Sequence, residues 1–346
     1  MLSLMKKMAL ITLLFFVVAS ASAQALKTNI SVHDPVMIKQ DNVYYLFGTG
    51  HGIAVWSSVD RVHWKAEKPV FEDAPQWVNN VVPGFKNHIW APDISYDKGL
   101  YYLYYAVSAF GKNTSAIGLA TRPTLHTDDP ACKWTDRGLV IQSIPGKTNW
   151  NAIDPNLITD KDGTPYLAFG SFWEGLKIVK LKPNQMEVGG ATTDLPTIAS
   201  RFSGTAKGNL PAVDGNPPDA GVNAIEAPFI YRKGKYFYLF ASIDYCCKGP
   251  QSTYKMIVGR SKKLLGPYLD KNGIAMNKGG GSIVLAGDKD WYGVGHNAVC
   301  NFDGVDYLIF HGYDAADKGV SKLRIEELAW PHNWPQVKSV IAAKKN

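Results

Sequence analysis

Ile225-Glu-Ala-Pro-Phe-Ile-Tyr-Arg-Lys-Gly-Lys-Tyr-Phe-Tyr-Leu-Phe240 is one of five stretches in this 346-residue chain that follow the same plan. Each has a short opening, a strand-length segment, a turn and then an aromatic run; here the turn is Lys233-Gly-Lys235 and the run begins at Tyr236. Aromatic and aliphatic runs bounded by turn residues are typical of β-hairpins. Long amphipathic helical patterns are absent, so the sequence predicts an all-β protein.

The repeat predicts one particular all-β architecture. A further strand follows each hairpin, and a unit of several strands present five times indicates a five-bladed β-propeller. The first strand of each blade then lines a central channel, so the five openings are expected to face one another at one end of it. A β-sandwich, or two smaller β domains, would not explain why the openings recur in phase with the hairpins. The openings, spaced by 57, 63, 73 and 70 residues, are His33-Asp-Pro35, Trp90-Ala-Pro-Asp93, Ile153-Asp-Pro155, Glu226-Ala-Pro228 and His296-Asn-Ala298.

The first residues predict export. Lys6-Lys7 is a basic start, Met8–Val18 is almost wholly apolar, and Ala21-Ser22-Ala23 has the small-x-small form of a cleavage site. We therefore expect a signal peptide over residues 1–23 and a secreted, extracellular or periplasmic protein, with residues 24–346 forming a single propeller domain. A buried N-terminal helix is the alternative. The apolar run is too short to span a bilayer, and no later run is long enough.

The amino-acid composition limits the classes of partner that the protein is expected to bind. The formal net charge is +7, but the basic residues are scattered and the only cluster is Lys344-Lys345, so we expect no nucleic-acid surface. A hydrophobic fraction of 46% is enough for a globular core. Aromatic residues reach 12%, and the flat apolar faces of Tyr and Trp suit sugars as well as cores. We expect a monomer that binds carbohydrate and neither membrane nor nucleic acid.

Four cysteines are too few for a disulfide scaffold in a chain of this length. The neighbours Cys246 and Cys247 are not expected to bridge, because a disulfide between adjacent residues strains the backbone. Cys132 and Cys300 could pair if the fold brings them together, and the sequence leaves this open. Buried thiols are the preferred interpretation.

Three of the openings carry a carboxylate at Asp34, Asp154 and Glu226, and Asp93 follows a fourth. Carboxylates gathered in a narrow channel repel one another, and burial also disfavours their charge, so some of their pKa values must rise. A pair of carboxyl groups with separated pKa values is what glycoside hydrolysis requires, one as acid and one as base or nucleophile. The alternative is that Asp-Pro pairs merely begin turns, but three acids in matching openings favour a catalytic site.

The order of these motifs resembles glycoside hydrolase family 43, and within it the endo-1,5-α-L-arabinanases. The resemblance extends from about His33 to Trp334, and the motifs together are specific although each Asp-Pro alone is weak. The motifs that carry it are His33-Asp-Pro35, His88-Ile-Trp-Ala-Pro-Asp93, Asn151-Ala-Ile-Asp-Pro-Asn156, Gly170-Ser-Phe-Trp173, Ile225-Glu-Ala-Pro228 and Gly295-His-Asn297, with support from Ser115–Ala120, Tyr245–Gly249, Ser252–Lys255 and Val258–Ser261.

The resemblance implies an inverting hydrolase of arabinan or arabino-oligosaccharides, the side chains of pectin. Asp34 would be the general base, Glu226 the general acid, and Asp154 would raise the pKa of the acid and orient it. The carboxyl groups of Asp34 and Glu226 should stand about 6.5–9.5 Å apart, which leaves room for water. The residues expected to bind substrate are His33, Trp90, Phe110, Asn151, Ser171, Phe172 and Trp173, although the aromatic members could instead belong to the core.

His296 is a candidate ion ligand only through the resemblance. Related arabinanases hold a calcium ion in the channel beneath the site on the matching histidine and water. Spacing alone would not suggest this, because calcium prefers oxygen ligands and a lone histidine is usually a core residue. The resemblance therefore predicts Ca²⁺, or another ion, near His296.

Two rival functions stay open. An exo-acting α-L-arabinofuranosidase or β-xylosidase of the same family would use the same acids in a blocked pocket. The compact chain favours endo action, because many exo-acting relatives carry an additional C-terminal β-sandwich. A non-catalytic carbohydrate- or protein-binding propeller would not need all three acids.

Overall fold

The structure, a computed structural model, describes residues 26–127, 129, 133–201 and 223–339. In this part of the chain, five antiparallel sheets of four or five strands make five blades, so the prediction of an all-β, five-bladed propeller is confirmed. The predicted signal peptide, Cys132 and the Lys344-Lys345 cluster lie outside the described residues. None of the described helices is both long and apolar enough to cross a membrane.

The first two blades come from the N-terminal part of the chain. Strand order is β2-β3-β5-β6 in blade one and β10-β9-β8-β7-β4 in blade two, so the short β4 crosses from the first blade to the second. The elements are β1 (Leu26–Ser31), β2 (Val36–Gln40), β3 (Val43–Gly48), β4 (Gly50–His51), β5 (Ala54–Ser58), β6 (Lys65–Ala66), α1 (Val78–Val81), β7 (His88–Asp97), β8 (Leu100–Val107), β9 (Ala116–Arg122) and β10 (Thr135–Gln142).

The remaining three blades follow in chain order. Blade three is β11-β12-β13-β14, blade four is β15-β16-β17-β18, and blade five is β19-β20-β21 with β1 and β22 paired to β21. Four short 3₁₀ turns lie at Gly249–Gln251, Met276–Lys278, Ala315–Asp317 and Pro331–Asn333. The strands are β11 (Asn156–Thr159), β12 (Pro165–Phe169), β13 (Leu176–Lys180), β14 (Thr197–Ala199), β15 (Ile225–Lys233), β16 (Tyr236–Ile243), β17 (Lys255–Ser261), β18 (Ser282–Ala286), β19 (Trp291–Phe302), β20 (Val305–Asp314), β21 (Val320–Ala329) and β22 (Gln336–Val337).

The two ends of the chain close the ring. β1 pairs antiparallel with β21, in the register Leu26 to Ile325 and Lys27 to Arg324, and so becomes the outer strand of blade five. The Thr28 hydroxyl adds a hydrogen bond of 2.8 Å to the Leu323 carbonyl. Because blade five therefore contains both early and late residues, the ring cannot open without breaking a sheet.

The core lies between adjacent blades. Four clusters of buried residues fill the interfaces, one shared by blades five, one and two and the others by blades two and three, three and four, and four and five. The aromatic runs of the sequence supply much of this core, since Tyr104, Tyr238 and Phe310 are fully buried. Each such side chain contributes about 1.5–3 kcal/mol on burial, which holds the inner strands in place around the channel.

Each opening turns through one residue with left-handed backbone. The positive φ angles are 52° at Asp34, 45° at Ala91, 56° at Asp154, 55° at Ala227 and 52° at His296. In β7, β15 and β19 the strand register also shifts at this point. The repeat therefore places His296 in the position of Asp34 and Asp154, whereas the carboxylate of blade four, Glu226, comes one residue earlier. The three acids therefore stand in matching openings, but Glu226 lies one residue before the left-handed position that Asp34 and Asp154 occupy.

The cysteine prediction is wrong in part. Cys246 and Cys247 form a disulfide with each other in the segment between β16 and β17. The adjacent residues can bridge because Cys247 adopts a left-handed backbone with φ of 65°. Cys300 is a free thiol and donates to the Met37 carbonyl at 3.1 Å.

Candidate active site

The five openings converge on one cavity at the propeller axis. It has an empty volume of about 280 Å³, and every blade contributes to its wall. This is the arrangement that the repeated openings predict. The lining residues are Asp34, Pro35, Val36, Pro92, Asp93, Asp154, Pro155, Ala227, Pro228, Phe229, His296, Asn297 and Ala298.

Asp34 is surrounded by groups that favour its charged form. Its carboxylate lies 3.0 Å from His296 Nδ1 and 3.6 Å from His33 Nδ1, and the Thr49 hydroxyl donates to its other oxygen. Its backbone N–H donates to His311 Nδ1 at 3.1 Å. Burial opposes ionisation, but the charge and hydrogen bond of His296, aided by His33, hold the pKa of Asp34 well below its usual 3.8. Asp34 is therefore an ionised base at neutral pH.

The surroundings of Glu226 favour its protonated form. Glu226 lies on β15, where Ser171 donates to one carboxyl oxygen at 2.8 Å and Tyr254 to the other at 2.7 Å. Burial raises the pKa of Glu226 above its usual 4.5, although both hydrogen bonds act against the shift. A carboxyl group that resists ionisation in this way can serve as a proton donor.

The ionisation of the buried Asp154 is affected by the charge of Glu226. The Asp154 carboxylate accepts the backbone N–H of Ala227 at 3.0 Å, which places it against the residue that follows the acid. Burial raises the pKa of Asp154 to about 8, and the nearby charges of Glu226 and Asp34 add to the shift while His296 acts against it. Because burial disfavours the charge of both groups and the charge of Glu226 further disfavours that of Asp154, the pair keeps a proton near neutral pH.

His296 balances the charges of the three acids. Its backbone N–H donates to the Ser242 hydroxyl at 2.8 Å. Burial lowers its pKa, but the charges of Asp34, Asp154 and Glu226 outweigh that effect and raise the pKa of the imidazole to about 9. Without a cation nearby, His296 is therefore itself the positive charge at the bottom of the site.

The predicted substrate-binding residues differ in exposure. Phe110 is 83% exposed, whereas Trp90 and Phe172 are half-buried and Trp173 is only 9% exposed. Trp173 thus belongs mainly to the wall of the site, where its carbonyl accepts from Asn223 at 2.6 Å. The Oδ1 atom of the buried Asn151 has no hydrogen-bond partner among the described residues.

Sequence reasoning missed three residues that hold the acids. Thr49 and Tyr254 donate to Asp34 and Glu226, and His311 accepts the Asp34 backbone N–H. Burial and the neighbouring charge of His33 keep the pKa of His311 well below 6.5, so it is a neutral acceptor. Tyr254 lies inside a motif already noted, but no local pattern marks Thr49 or His311.

The arrangement suits acid–base hydrolysis. The ionised Asp34 and the protonated Asp154 line the same cavity, and Glu226 lies close enough to Asp34 and His296 for their charges to act on it. These are the two protonation states that cleavage of a glycosidic bond needs at once. A purely structural cluster would gain nothing from burying three acids.

Comparison with known proteins identifies the family of the chain. The profile of glycosyl hydrolases family 43 matches residues 28–335. The chain is 48% identical to the extracellular exo-α-(1→5)-L-arabinofuranosidase of Cellvibrio japonicus (89% of this chain, 86% of that protein) and 43% identical to the extracellular endo-α-(1→5)-L-arabinanase 1 of Bacillus subtilis (89% and 88%). The structure of Cellvibrio cellulosa α-L-arabinanase with arabinohexaose superposes with a TM-score of 0.84 at 46% identity, covering 90% of this chain and 98% of that one. The chain is therefore a member of glycosyl hydrolases family 43.

Proposed function

We propose that this protein is an arabinanase that hydrolyses α-1,5-L-arabinofuranosidic bonds with inversion. The observation that carries the proposal is the opposed protonation of the acids: the pKa of Asp34 is held low while those of Asp154 and Glu226 are raised. Two relatives named for α-(1→5)-L-arabinose linkages, at 48% and 43% identity, support the choice of substrate.

In this mechanism Asp34 accepts a proton from the attacking water. Glu226 donates its proton to the leaving glycosidic oxygen, and the buried Asp154–Glu226 pair retains that proton because two negative charges side by side are disfavoured. Inversion requires the carboxyl groups of Asp34 and Glu226 to stand about 6.5–9.5 Å apart. His33, 3.6 Å from the Asp34 carboxylate, orients the base.

The sugar rings would contact the aromatic residues around the cavity. Phe110 and the half-buried Trp90 and Phe172 offer faces for stacking on furanose rings. The unpartnered Oδ1 of Asn151 is an acceptor for a sugar hydroxyl. Ser171, which already donates to Glu226, would meet the sugar beside the scissile bond.

A calcium ion near His296 fits the residues present. Asn297 is 2% exposed and lines the same cavity, yet both polar atoms of its side chain lack a hydrogen-bond partner among the described residues. A neutral His296 that donates Nδ1–H to Asp34 keeps Nε2 as its ligating atom. When bound, the ion would supply positive charge beside the three carboxylates. Metal analysis of the purified protein before and after chelation, with the thermal midpoint as second readout, tests this.

Endo action is the finer proposal, and exo action is the second candidate. The 48% identity to an exo-acting enzyme exceeds the 43% identity to an endo-acting one. The compactness of the chain does not separate them, because the alignment covers 86% of the exo-acting relative. Product analysis on linear 1,5-arabinan decides: a ladder of oligosaccharides early in the reaction means endo action, and a single short product from the start means exo action.

Secretion as a monomer completes the proposal. Both relatives are named extracellular, which supports export of this chain. Secretion is tested by N-terminal sequencing of protein from the culture medium, where Gln24 is the expected first residue. Elution at the mass of one chain on size-exclusion chromatography tests the monomer.

Catalysis itself is tested by Glu226→Gln. The amide keeps the size of the side chain but carries no acidic proton, so hydrolysis should fall by about 10³-fold or more. Binding of arabino-oligosaccharide measured by calorimetry should persist. A variant that retains the wild-type rate would show that the propeller does not use this acid, and a wild type that binds sugar without any hydrolysis would favour a non-catalytic binding protein.

A further inference from the structure

The loop between β16 and β17, residues 244–253, is fixed at both ends beside Glu226. At its start, Ile243 pairs with Ile225, the residue before the acid. Just beyond its end, the Tyr254 hydroxyl donates to the Glu226 carboxylate at 2.7 Å. The loop therefore lies at the rim of the catalytic cavity and not at the outer edge of blade four.

One part of this loop borders the acid side of the site. The Tyr245 ring lies 6.2 Å from the ring of Phe172, centroid to centroid. Phe172 directly follows Ser171, which donates to Glu226. Tyr245 is 38% exposed, and the Lys248 ammonium lies 4.2 Å from its ring centroid, which fixes the ring in place.

The next residues border the base side. The backbone N–H of Cys247 donates to the Tyr313 hydroxyl at 2.7 Å. That hydroxyl lies 3.3 Å from Nε2 of His33, the neighbour of Asp34. The three residues Tyr245–Cys247 thus span the rim from the neighbour of the acid to the neighbour of the base, and a sugar held between the two catalytic groups must pass beside them.

We propose that Tyr245 and the Cys246–Cys247 disulfide form a sugar-binding platform at the rim of the catalytic site. The aromatic ring and the disulfide are apolar, and Cys247 is exposed, so they suit the C–H face of a furanose ring. A disulfide between neighbours also leaves few side-chain rotamers to be fixed when the sugar binds. This inference rests on the proposed function, since it takes arabino-oligosaccharide as the ligand.

The disulfide holds the shape of the platform. Cys247 has φ of 65°, a left-handed conformation that a non-glycine residue seldom keeps unless its surroundings require it. The ring closed by the disulfide restrains this conformation and keeps the Cys247 N–H directed at Tyr313. Opening the disulfide would let Cys247 relax and move the platform away from the cavity.

The experiment compares kcat and KM on arabinohexaose for the wild type and the double variant Cys246→Ser/Cys247→Ser. The platform predicts that KM rises about five- to tenfold while kcat stays within twofold, because binding is lost and the acids are untouched. Cys300→Ser makes the same chemical change at a thiol that donates to Met37, away from the loop, and should leave both constants unchanged.

A second measurement does not depend on the folding of the variant. A tertiary phosphine reduces the wild-type disulfide to two thiols, and the phosphine takes up oxygen from water to become its oxide. The reduced enzyme should show the same rise in KM, and the double variant should not respond. The proposal is overturned if KM is unchanged in protein whose two thiols are confirmed by mass spectrometry, or if only kcat falls. A wild type inactive on arabinohexaose would instead refute the proposed function.

Discussion

The Thr49 hydroxyl donates a hydrogen bond to the ionised form of the proposed base. It donates to the Asp34 carboxylate and accepts the Ala91 N–H at 2.8 Å, so it links the openings of blades one and two. We expect Thr49→Val to lower kcat/KM about tenfold, since a hydrogen bond to a charged group contributes about 1.5–3 kcal/mol. The pKa of Asp34 should rise, and the acid limb of the pH–rate profile should move to higher pH.

Thr49→Ser is the matched control because it keeps the hydroxyl group. Its pH–rate profile should overlay that of the wild type. The interpretation of Thr49 would be wrong if the valine and serine variants gave the same profile.

The pH dependence follows from the opposed shifts of the acids. The pKa of Asp34 is held well below 3.8, so the base stays ionised and activity should persist down to about pH 4. Burial raises the pKa of Asp154 to about 8 and also raises that of Glu226, so the pair loses its proton, and activity falls, on the alkaline side of the profile. We expect Asp154→Asn to move this alkaline limb to lower pH, because Glu226 then loses its proton without a second carboxylate beside it.

Measurement of kcat/KM between pH 3 and 10 checks both limbs. An alkaline limb that does not move in Asp154→Asn would mean that Asp154 does not control the proton on Glu226.

The three acids were within reach of sequence reasoning, whereas their hydrogen-bond partners were not. Asp34, Asp154 and Glu226 stand in recurring openings, so one local pattern marks all of them. His311 contacts Asp34 across 277 positions in the chain, and only the closed ring brings the two together. Thr49 lies just after β3 with nothing nearby to distinguish it from an ordinary strand-end threonine.

At the scale of elements, the backbone geometry of the five sequence openings places their side chains at the propeller axis. One left-handed residue per blade turns the inner strand at the cavity, and at Asp34, Asp154 and His296 that residue itself carries the functional group. The repeat and the offset of Glu226 relative to the proline were both visible in the sequence, but the left-handed residue in each opening was not, because backbone angles cannot be read from composition. The Cys246–Cys247 disulfide was missed for the same reason, since it requires the left-handed backbone of Cys247.

Strand β1 should contribute strongly to stability, because it closes the ring through β21. Deleting residues 26–31 leaves one edge of β21 unpaired and removes the hydrogen bond from Thr28 to Leu323. We expect the thermal midpoint to fall by several degrees, since each 1 kcal/mol corresponds to about 2–4 °C in a domain of 150–250 residues and the loss of a paired strand costs several kcal/mol.

Scanning calorimetry compares this deletion with Thr28→Val, which removes only the side-chain hydrogen bond. A deletion no more harmful than the point variant would mean that the pairing of β1 is not what closes the propeller.

At the scale of the whole molecule, the gathering of ionisable groups at the propeller axis lowers the stability of the fold. Three acids and His296 lie where all five blades meet, and burial works against the charge of each. The interfaces between the blades, filled by large buried aromatics, offset this cost. The centre of the fold therefore holds groups whose charge burial disfavours.

This trade-off predicts that Asp154→Asn is more stable than the wild type at alkaline pH. Burial raises the pKa of Asp154 from 3.8 in the unfolded chain to about 8 in the folded one, so the folded state binds its proton more tightly. The wild type therefore loses stability as pH rises from about 4 to about 8, whereas the amide does not titrate and can still accept the Ala227 N–H. The thermal midpoint of the variant should exceed that of the wild type by several degrees at pH 8, and the two should converge near pH 4.

Asp34→Asn should change the thermal midpoint in the opposite direction in the same experiment. The pKa of Asp34 is held below 3.8 by His296 and His33, so its ionised form stabilises the fold above that pH. This variant should be less stable than the wild type at pH 8, and the difference should shrink as pH falls below about 4. Melts at pH 4, 6 and 8 with a chelator present, which removes any contribution from a bound cation, give both comparisons. If the two variants moved the midpoint in the same direction at pH 8, the opposed protonation of Asp34 and Asp154, and with it the proposed acid–base mechanism, would have to be abandoned.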